Sequence, residues 1–277
     1  MKRSHKKDAA MHKKTLLSTT LASILCASSF SAMANLDDIP DTSVKSGKGF
    51  HGMIGAGALN VPEYVGGDDA ETEAVPLINV DYNDTLYWKF NRGGWWFWKP
   101  GKGDIRVGLE VGMRQGWERD DLKSSLNFDI SGPQYKEVEN AILAGVNVAY
   151  HSGRFTAELS LLGSSADENF YDEEPGTEIV LRTSYTFIAT KQFSLTASAK
   201  VEALSEDTVN YFYGINGYEG DSTTNFSVGA LATYRFSKQW LALAGANFTS
   251  LGDEIKDSPI VADDSQTAAL VGVAYTF

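Results

Sequence analysis

The stretch QFSLTASAKVEAL, residues 192 to 204, alternates between apolar and polar side chains along almost its whole length. Phe, Leu, Ala and Val occupy every second position, and Gln, Ser, Thr, Lys and Glu stand between them. Because successive side chains of a β-strand point to opposite faces, this period of two predicts a strand with one apolar and one polar face. The same alternation recurs in DIRVGLEVGMR, residues 104 to 114, and in NFSVGALATYRFS, residues 225 to 237.

Aromatic side chains lie near the ends of such segments, on the apolar face. They are Tyr150, Phe155, Tyr185, Phe187, Phe193, Phe226, Tyr234 and Phe236. A soluble β-sandwich could alternate in the same way, but aromatic residues at both ends of the apolar face are typical of the interfacial girdles of membrane barrels. The pattern therefore favours a membrane barrel.

Twelve alternating segments follow one another through the rest of the chain. They are residues 50 to 59, 73 to 82, 85 to 90, 95 to 99, 104 to 115, 139 to 150, 153 to 164, 177 to 188, 192 to 204, 224 to 236, 238 to 250 and 266 to 277. No run of 18 apolar residues occurs, whereas a membrane-spanning helix needs about 20. We predict an all-β fold, an antiparallel transmembrane β-barrel of twelve strands. Ten strands is the alternative, because the third and fourth segments, on either side of a turn predicted at residues 91 to 94, are short.

The connections between the segments alternate in length. Short ones, such as residues 190 to 191 and 237 to 238, alternate with long ones, such as residues 118 to 137 and 165 to 176. In bacterial barrels the short turns face the periplasm and the long loops face outward. We therefore predict periplasmic termini, and an acidic outer rim because the long connections carry most of the Asp and Glu residues.

The first 34 residues have the form of an export signal. Six Lys and Arg residues precede an apolar stretch, which is followed by Ala32-Met33-Ala34, a small-residue cleavage site. Translation starts at Met1 or at Met11. We predict a signal peptide over residues 1 to 34, a periplasmic N-terminal segment over residues 35 to 49 and an outer-membrane barrel over residues 50 to 277.

Charge and cysteine content exclude several functions. Without the signal the chain has 18 Lys and Arg against 35 Asp and Glu residues, a net charge of −17. Nucleic-acid binding depends on a basic surface, so nucleic acid is excluded as a partner. The only cysteine, Cys26, lies in the signal, which leaves no disulfide or thiolate chemistry in the mature chain.

Charged side chains on the polar faces of the segments are expected to point into the lumen. These candidates are Arg106, Glu110, Arg114, Glu158, Arg182, Lys200, Glu202 and Arg235. They would either line a selective pore or pair with one another and fill a narrow interior, and a twelve-stranded barrel allows both.

No motif indicates catalysis, a cofactor or a metal site. After the signal the only histidines are His51 at the first strand and His151 in a short turn, both at the periplasmic end. The Asp-rich loops lack the regular ligand spacing of a calcium site. We predict that the protein is not an enzyme, and that lipopolysaccharide and outer-membrane lipid surround it.

The C-terminal segment ends in GVAYTF, with a terminal aromatic residue. It resembles the signal that the outer-membrane assembly machinery reads, with Gly272, Tyr275 and Phe277 at the matching positions. The resemblance predicts the assembly machinery as a partner during folding.

Four motifs in a fixed order resemble the MipA/OmpV family of outer-membrane proteins. They are GAGALNVPEYVGGDD at residues 55 to 69, VPLINVDY at 75 to 82, YFYGI at 211 to 215, and DSPIV at Asp257, Ser258, Pro259, Ile260 and Val261. The resemblance implies an interaction protein that links the outer membrane to a lytic transglycosylase and a peptidoglycan synthase. Other members are described as porin-like proteins or adhesins, so a channel for small cationic solutes and an adhesin remain alternatives.

Overall fold

The computed structural model describes residues 48–101, 104–119, 122, 137–164, 173, 175–215 and 217–277. The predicted signal peptide and most of the predicted periplasmic segment lie outside the described residues, so both remain predictions. The strands are β1 (Phe50–Pro62), β2 (Ala70–Tyr82), β3 (Leu86–Lys89), β4 (Arg92–Trp98), β5 (Ile105–Arg114), β6 (Ala141–Ser152), β7 (Phe155–Ser164), β8 (Thr177–Ala189), β9 (Phe193–Leu204), β10 (Thr223–Arg235), β11 (Trp240–Ser250) and β12 (Ser265–Thr276). Two helices lie between strands, α1 (Glu206–Tyr213) and α2 (Asp253–Lys256).

The strands form one closed antiparallel barrel in which every strand pairs with its neighbours in sequence. The barrel closes between β1 and β12, where the register runs from Met53 opposite Thr276 to Asn60 opposite Ala269. The predicted count of twelve strands is therefore confirmed, and the alternative of ten is wrong. Closure leaves no full-length strand edge, as a β-structure in lipid requires.

The outer surface of the wall is apolar. Ile54, Leu109, Val146, Leu161 and Val271 point outward and are 46–58 % exposed. In a soluble protein such side chains would be buried, whereas on a barrel they contact lipid. No helix among the described residues is long and apolar enough to cross a membrane.

The two ends of the barrel differ. We call one the short-turn end, because the connections that follow β2, β4, β6, β8 and β10 there are brief; Lys48 and Phe277, the limits of the described chain, also lie at this end. The other is the long-loop end. That the short-turn end faces the periplasm remains a prediction.

The hairpin of β3 and β4 departs from the predicted boundaries. The turn consists of Phe90 and Asn91, and Arg92 to Gly94, predicted as a turn, belong to β4. Because the pairing of β2 with β3 begins at Asn79 opposite Lys89, the hairpin ends partway along the wall. This brief turn points toward the long-loop end, an exception to the alternation of short and long connections.

Candidate functional site

An ion-pair network built on the β3–β4 hairpin crosses the interior. The Lys89 Nζ atom lies 2.9 Å from Glu158 Oε1 on β7. Arg92 Nη1 lies 2.7 Å from Glu158 Oε2 and 3.1 Å from Glu110 Oε2. All four side chains are less than 10 % exposed, so each charge depends on its partners rather than on water. The network binds the tip of the hairpin to the wall at β5 and β7.

Glu110 is the acceptor at the centre of this network. Its Oε1 accepts hydrogen bonds from Ser160 Oγ at 3.1 Å and Arg182 Nη1 at 3.4 Å. Its Oε2 accepts from Tyr87 OH at 3.2 Å and from Asn147 Nδ2 at 3.0 Å. With Arg92 included, the donors come from β3, β4, β6, β7 and β8, so a single carboxylate joins five strands besides its own.

A second charged cluster lies nearer the long-loop end. Arg114 on β5 pairs with Glu178 on β8 at 2.5 Å and with Glu202 on β9 at 3.1 Å. Lys200 Nζ lies 3.6 Å from the same Glu202, whose other oxygen accepts from Asn225 Nδ2 at 3.0 Å. The side chains of this cluster fill the space between the strands and leave one side of the lumen polar and closed.

The opposite side of the lumen is apolar. Phe90, in the hairpin turn, is 4 % exposed and belongs to a buried cluster with inward side chains of β1, β2, β10, β11 and β12, among them Leu59, Leu77, Leu231 and Leu270. The hairpin tip therefore contacts both halves of the interior. Phe90 packs against the apolar half, and the flanking cations bind the acidic half.

Three of the sequence motifs meet at the long-loop end and form a buried cap. We define the cap as α1, α2 and residues 63 to 67 and 257 to 261. Tyr64 OH donates to the Ile260 carbonyl at 2.8 Å, and Ser258 Oγ donates to the Tyr213 carbonyl at 2.7 Å. Trp117 Nε1 donates to the Phe212 carbonyl at 2.7 Å. The three motifs thus belong to one buried cluster at the long-loop end.

Helix α1 is short and begins at a capping serine. The Ser205 hydroxyl accepts from the Thr208 amide, and Glu206 and Asp207 occupy the positive first turn. The last residue, Tyr213, is buried above the second charged cluster. Its burial, together with the carboxylates of Glu202 and Glu178, raises the pKa of its hydroxyl above the ordinary value, although the Arg114 guanidinium acts in the opposite direction. The hydroxyl therefore remains neutral at physiological pH.

Two cavities lie on opposite sides of the hairpin tip. The larger, which we call the vestibule, has a volume of about 770 Å³ and is lined at the short-turn end by His51, Asp81, Asp84, Asp104, Arg106, His151, Lys191, Arg235 and Lys238, with Lys89 at its inner end. The smaller has a volume of about 80 Å³, lies between the hairpin and the cap, and is lined by Arg92 and Arg114. The two cavities share no lining residue. In the described part of the chain, the hairpin tip and its buried ion pairs lie between the two cavities.

The eight charged residues predicted to face the lumen divide into two groups. Those within the two networks are Glu110, Arg114, Glu158, Arg182, Lys200 and Glu202. Arg106 and Arg235 instead line the vestibule, where Arg106 Nη1 lies 2.7 Å from Asp84 Oδ1. What these residues contribute to function remains a prediction.

Sequence reasoning missed three members of the networks, Lys89, Arg92 and Glu178. The misplaced turn concealed Arg92, because it took this residue out of any strand. Lys89 lay within the predicted third segment, residues 85 to 90, but was not assigned to the lumen. Glu178 and Arg182 are four residues apart on β8, so both side chains lie on the same face of the strand. This spacing could have identified Glu178 as a lumen-facing residue.

The residues of the predicted assembly signal lie on the closing strand β12. A Cβ atom at Gly272 would lie 2.5 Å from Leu77 Cδ1 and 2.9 Å from the Ala56 carbonyl, so only glycine fits there. Tyr275 packs edge-on against Trp240 at 5.4 Å, and Phe277 is 46 % exposed beyond the strand. Their recognition by the assembly machinery remains a prediction.

The two histidines lie where they were expected, at the short-turn end. His51 Nε2 is 3.0 Å from the Lys48 carbonyl, and His151 Nδ1 is 3.3 Å from Thr156 Oγ1. Among the residues that the structure covers, no three His, Cys, Asp or Glu side chains are placed to hold a metal ion.

A closed antiparallel wall with an apolar exterior and a polar, filled interior defines a transmembrane β-barrel. The family model described as MltA-interacting protein MipA matches residues 54–277. The chain belongs to this family, and the resemblance seen in the sequence motifs is confirmed. The protein is located in the outer membrane.

Curated relatives match along most of their length. The MltA-interacting protein of Escherichia coli (strain K12) is 22 % identical over 236 residues, which cover 81 % of this chain and 89 % of the relative. The putative outer membrane protein YiaT of the same strain is 24 % identical over 234 residues, covering 81 % and 90 %. Among solved structures, the NanC porin is similar at 8 % identity with a TM-score of 0.49, covering 82 % of this chain and all of that chain.

Proposed function

We propose that the protein is an interaction platform in the outer membrane, whose short-turn end faces the periplasm and binds enzymes that remodel peptidoglycan. The partner classes are a lytic transglycosylase and a peptidoglycan synthase. The relative named MltA-interacting protein supports the first of these classes.

The filled interior is the observation that carries this proposal. A pore needs a continuous passage, but in the described part of the chain the hairpin tip, its ion pairs and the apolar cluster around Phe90 occupy the space between the vestibule and the smaller cavity. Six of the predicted lumen charges are engaged in ion pairs. A barrel of this kind serves better as a membrane-anchored surface than as a constantly open channel.

The short-turn end supplies the surface. Its turns are brief, so most of the contact area must come from the vestibule rim and the chain before β1. Specific complexes bury at least about 1,000 Å² in total, more than such turns alone provide. We therefore propose that a partner contacts the rim together with residues 36 to 47.

Co-purification tests the proposal. Replacing residues 36 to 47 with a Gly/Ser linker of equal length should weaken co-purification of a lytic transglycosylase or peptidoglycan synthase, while heat-modifiable gel mobility stays normal. The matched control replaces Asp263 and Asp264, exposed at the long-loop end, with Ser and should retain the partner. Undiminished co-purification after the linker replacement would count against the proposal.

A porin-like channel for small cationic solutes is the second candidate. The vestibule and the acidic connections at the long-loop end favour it, because an acidic mouth concentrates cations. If the purified barrel binds neither enzyme at micromolar concentration and conducts small cations steadily in planar bilayers, this function replaces the first.

A further inference from the structure

Three cations stand together on one side of the vestibule, which we call the basic wall. They are Lys191 in the β8–β9 turn, Arg235 at the end of β10 and Lys238 in the β10–β11 turn. The two turns are joined, because the Arg235 amide donates to the Gln192 carbonyl at 2.7 Å and Arg235 Nη1 donates to the Lys238 carbonyl at 3.1 Å. The three positive charges therefore share one surface of the cavity.

The cations of the basic wall have no acidic partner among the described residues. Arg235 Nη1 also donates to Thr276 Oγ1 at 2.9 Å, so both of its partners are neutral oxygens. Lys191 and Lys238 are exposed, and neither they nor Arg235 form an ion pair with a described carboxylate, that of the C-terminal Phe277 included. Charges of one sign in a concave site with low-dielectric walls attract the opposite charge. The basic wall therefore favours an anionic ligand.

The aspartates of the vestibule lie on its other side. Asp81 is at the end of β2, Asp84 is in the turn that follows, and Asp104 precedes β5. Asp84 pairs with Arg106 at 2.7 Å and with Lys99 at 3.7 Å, whereas Asp81 and Asp104 form no ion pair with a described residue. These carboxylates repel an anion, so the charges of the cavity direct it to the basic wall.

Hydroxyl groups lie deeper on the same side of the cavity. Thr233 is two residues before Arg235 on β10, so the two side chains lie on the same face of the strand. Thr233 Oγ1 lies 2.6 Å from Ser194 Oγ on β9. Leu241, which is opposite Arg235 in the pairing of β10 with β11, adds an apolar side chain to the lining. A sugar that carries a carboxylate fits such a surface, because it presents an anion, hydroxyl groups and apolar C–H faces together.

The vestibule is large enough for such a ligand. Its volume of about 770 Å³ is within the range of roughly 300 to 1,000 Å³ that is typical of small-molecule sites. Of the other cations in its lining, Lys89 is engaged with Glu158 and Arg106 with Asp84. The basic wall is therefore the part of the lining that offers positive charge to a ligand.

We infer that the vestibule binds a carboxylated sugar, with its carboxylate on the basic wall and its hydroxyl groups toward Ser194 and Thr233. Two sources share this chemistry, the muramic acid of peptidoglycan and free uronic acids. Access to the ligand from the periplasm rests on the proposed function, whereas the binding itself does not.

Titration calorimetry of the purified protein in detergent micelles tests the inference. N-acetylmuramic acid is the first probe, and N-acetylglucosamine is its neutral control because it lacks the lactyl carboxylate. Glucuronic acid and glucose form the second pair. At least one acidic sugar should bind several-fold more tightly than its neutral counterpart, and the acid that binds more tightly identifies the source. High salt should weaken the binding, because the charges involved are accessible to solvent.

Lysine variants test the position of the site. Lys191→Gln combined with Lys238→Gln should weaken binding of the acidic sugar by about tenfold, the size expected from two exposed charges. Lys191→Arg combined with Lys238→Arg keeps both charges and should bind like the unaltered protein. Lys256→Gln, in α2 at the long-loop end, is the control and should leave the affinity unchanged. Heat-modifiable gel mobility shows whether each variant is folded.

Three results would overturn the inference. They are equal affinity for the acidic sugars and their neutral counterparts, no binding at millimolar concentration, and unchanged affinity in the double glutamine variant. If the double variant does not fold, Lys238→Gln alone takes its place and should weaken binding by about threefold. The titration contains no partner enzyme, so its failure is distinct from failed co-purification.

Discussion

At the scale of single residues, Glu158 is a buried acid whose charge depends on two cationic partners. Its side chain is 3 % exposed and binds the ammonium of Lys89 and the guanidinium of Arg92 through its two oxygens. Removing one member of a buried ion cluster leaves its partners buried without compensation, which costs more than the pairing itself contributes.

We expect Glu158→Gln to lower the free energy of unfolding by about 3 to 5 kcal/mol. The change keeps the shape of the side chain and removes only its charge, so Lys89 and Arg92 lose their main counter-charge. Urea unfolding of the barrel in lipid vesicles measures the effect. Glu206→Gln, at an exposed acid that begins α1, is the control and should change stability little. A similar small loss at both sites would mean that the interior network is hydrated rather than dry.

At the scale of secondary structure, the β3–β4 hairpin decides whether the interior is open. Its strands are among the shortest of the barrel, at four and seven residues, and its turn holds Phe90 at a φ of 53°, in the left-handed region. A bulky residue is rare in that conformation, and its cost must be offset by the apolar contacts of the ring. The tip is therefore a strained plug held by packing on one side and ion pairs on the other.

Phe90→Gly should raise single-channel conductance several-fold in planar bilayers. Glycine accepts the left-handed conformation and removes the ring that packs against the apolar half of the lumen, so the tip loses one of its two attachments. Phe90→Leu retains much of the apolar contact and should conduct like the unaltered barrel. Unaltered conductance in the glycine variant would show that the ion pairs and the cap close the lumen without the ring.

At the scale of the whole molecule, the two ends of the described barrel differ. The cap packs the buried side chains of Tyr64, Phe212 and Ile260 together at the long-loop end, while the vestibule indents the short-turn end. The cylinder itself depends on the pairing of the first and last strands, which come from opposite ends of the described chain. Formation of the barrel thus awaits the C-terminal strand.

Deleting Phe277 should lower the amount of folded barrel in the outer membrane. Phe277 extends β12 by exchanging backbone hydrogen bonds with Gly52, and its exposed ring is the terminal feature of the predicted assembly signal. Abundance and heat-modifiable mobility in membrane fractions measure the result, and Phe277→Tyr, which keeps a terminal aromatic ring, should assemble normally. Normal abundance of the deletion variant would contradict the prediction.

The sequence alone was sufficient for the fold class, the number of strands and the family. Alternation is a local property that repeats at every second residue, so strands such as β9 and β10 were placed to within one residue. The outer-membrane location was inferred from further signals, because alternation alone also fits a soluble β-sandwich. These signals were the aromatic residues at the segment ends, the form of the first 34 residues and the C-terminal aromatic residue.

The tertiary structure alone decided that buried ion pairs and apolar side chains fill the interior around the hairpin tip. Pairing between Arg92 and Glu158, 66 positions apart, or between Tyr64 and Ile260, 196 positions apart, depends on which inward side chains the closed wall brings together. The position of the β3–β4 turn likewise depends on Phe90 finding an apolar surface and Lys89 finding a carboxylate across the lumen. Alternation assigns a side chain to a face, but only closure of the barrel assigns it a partner.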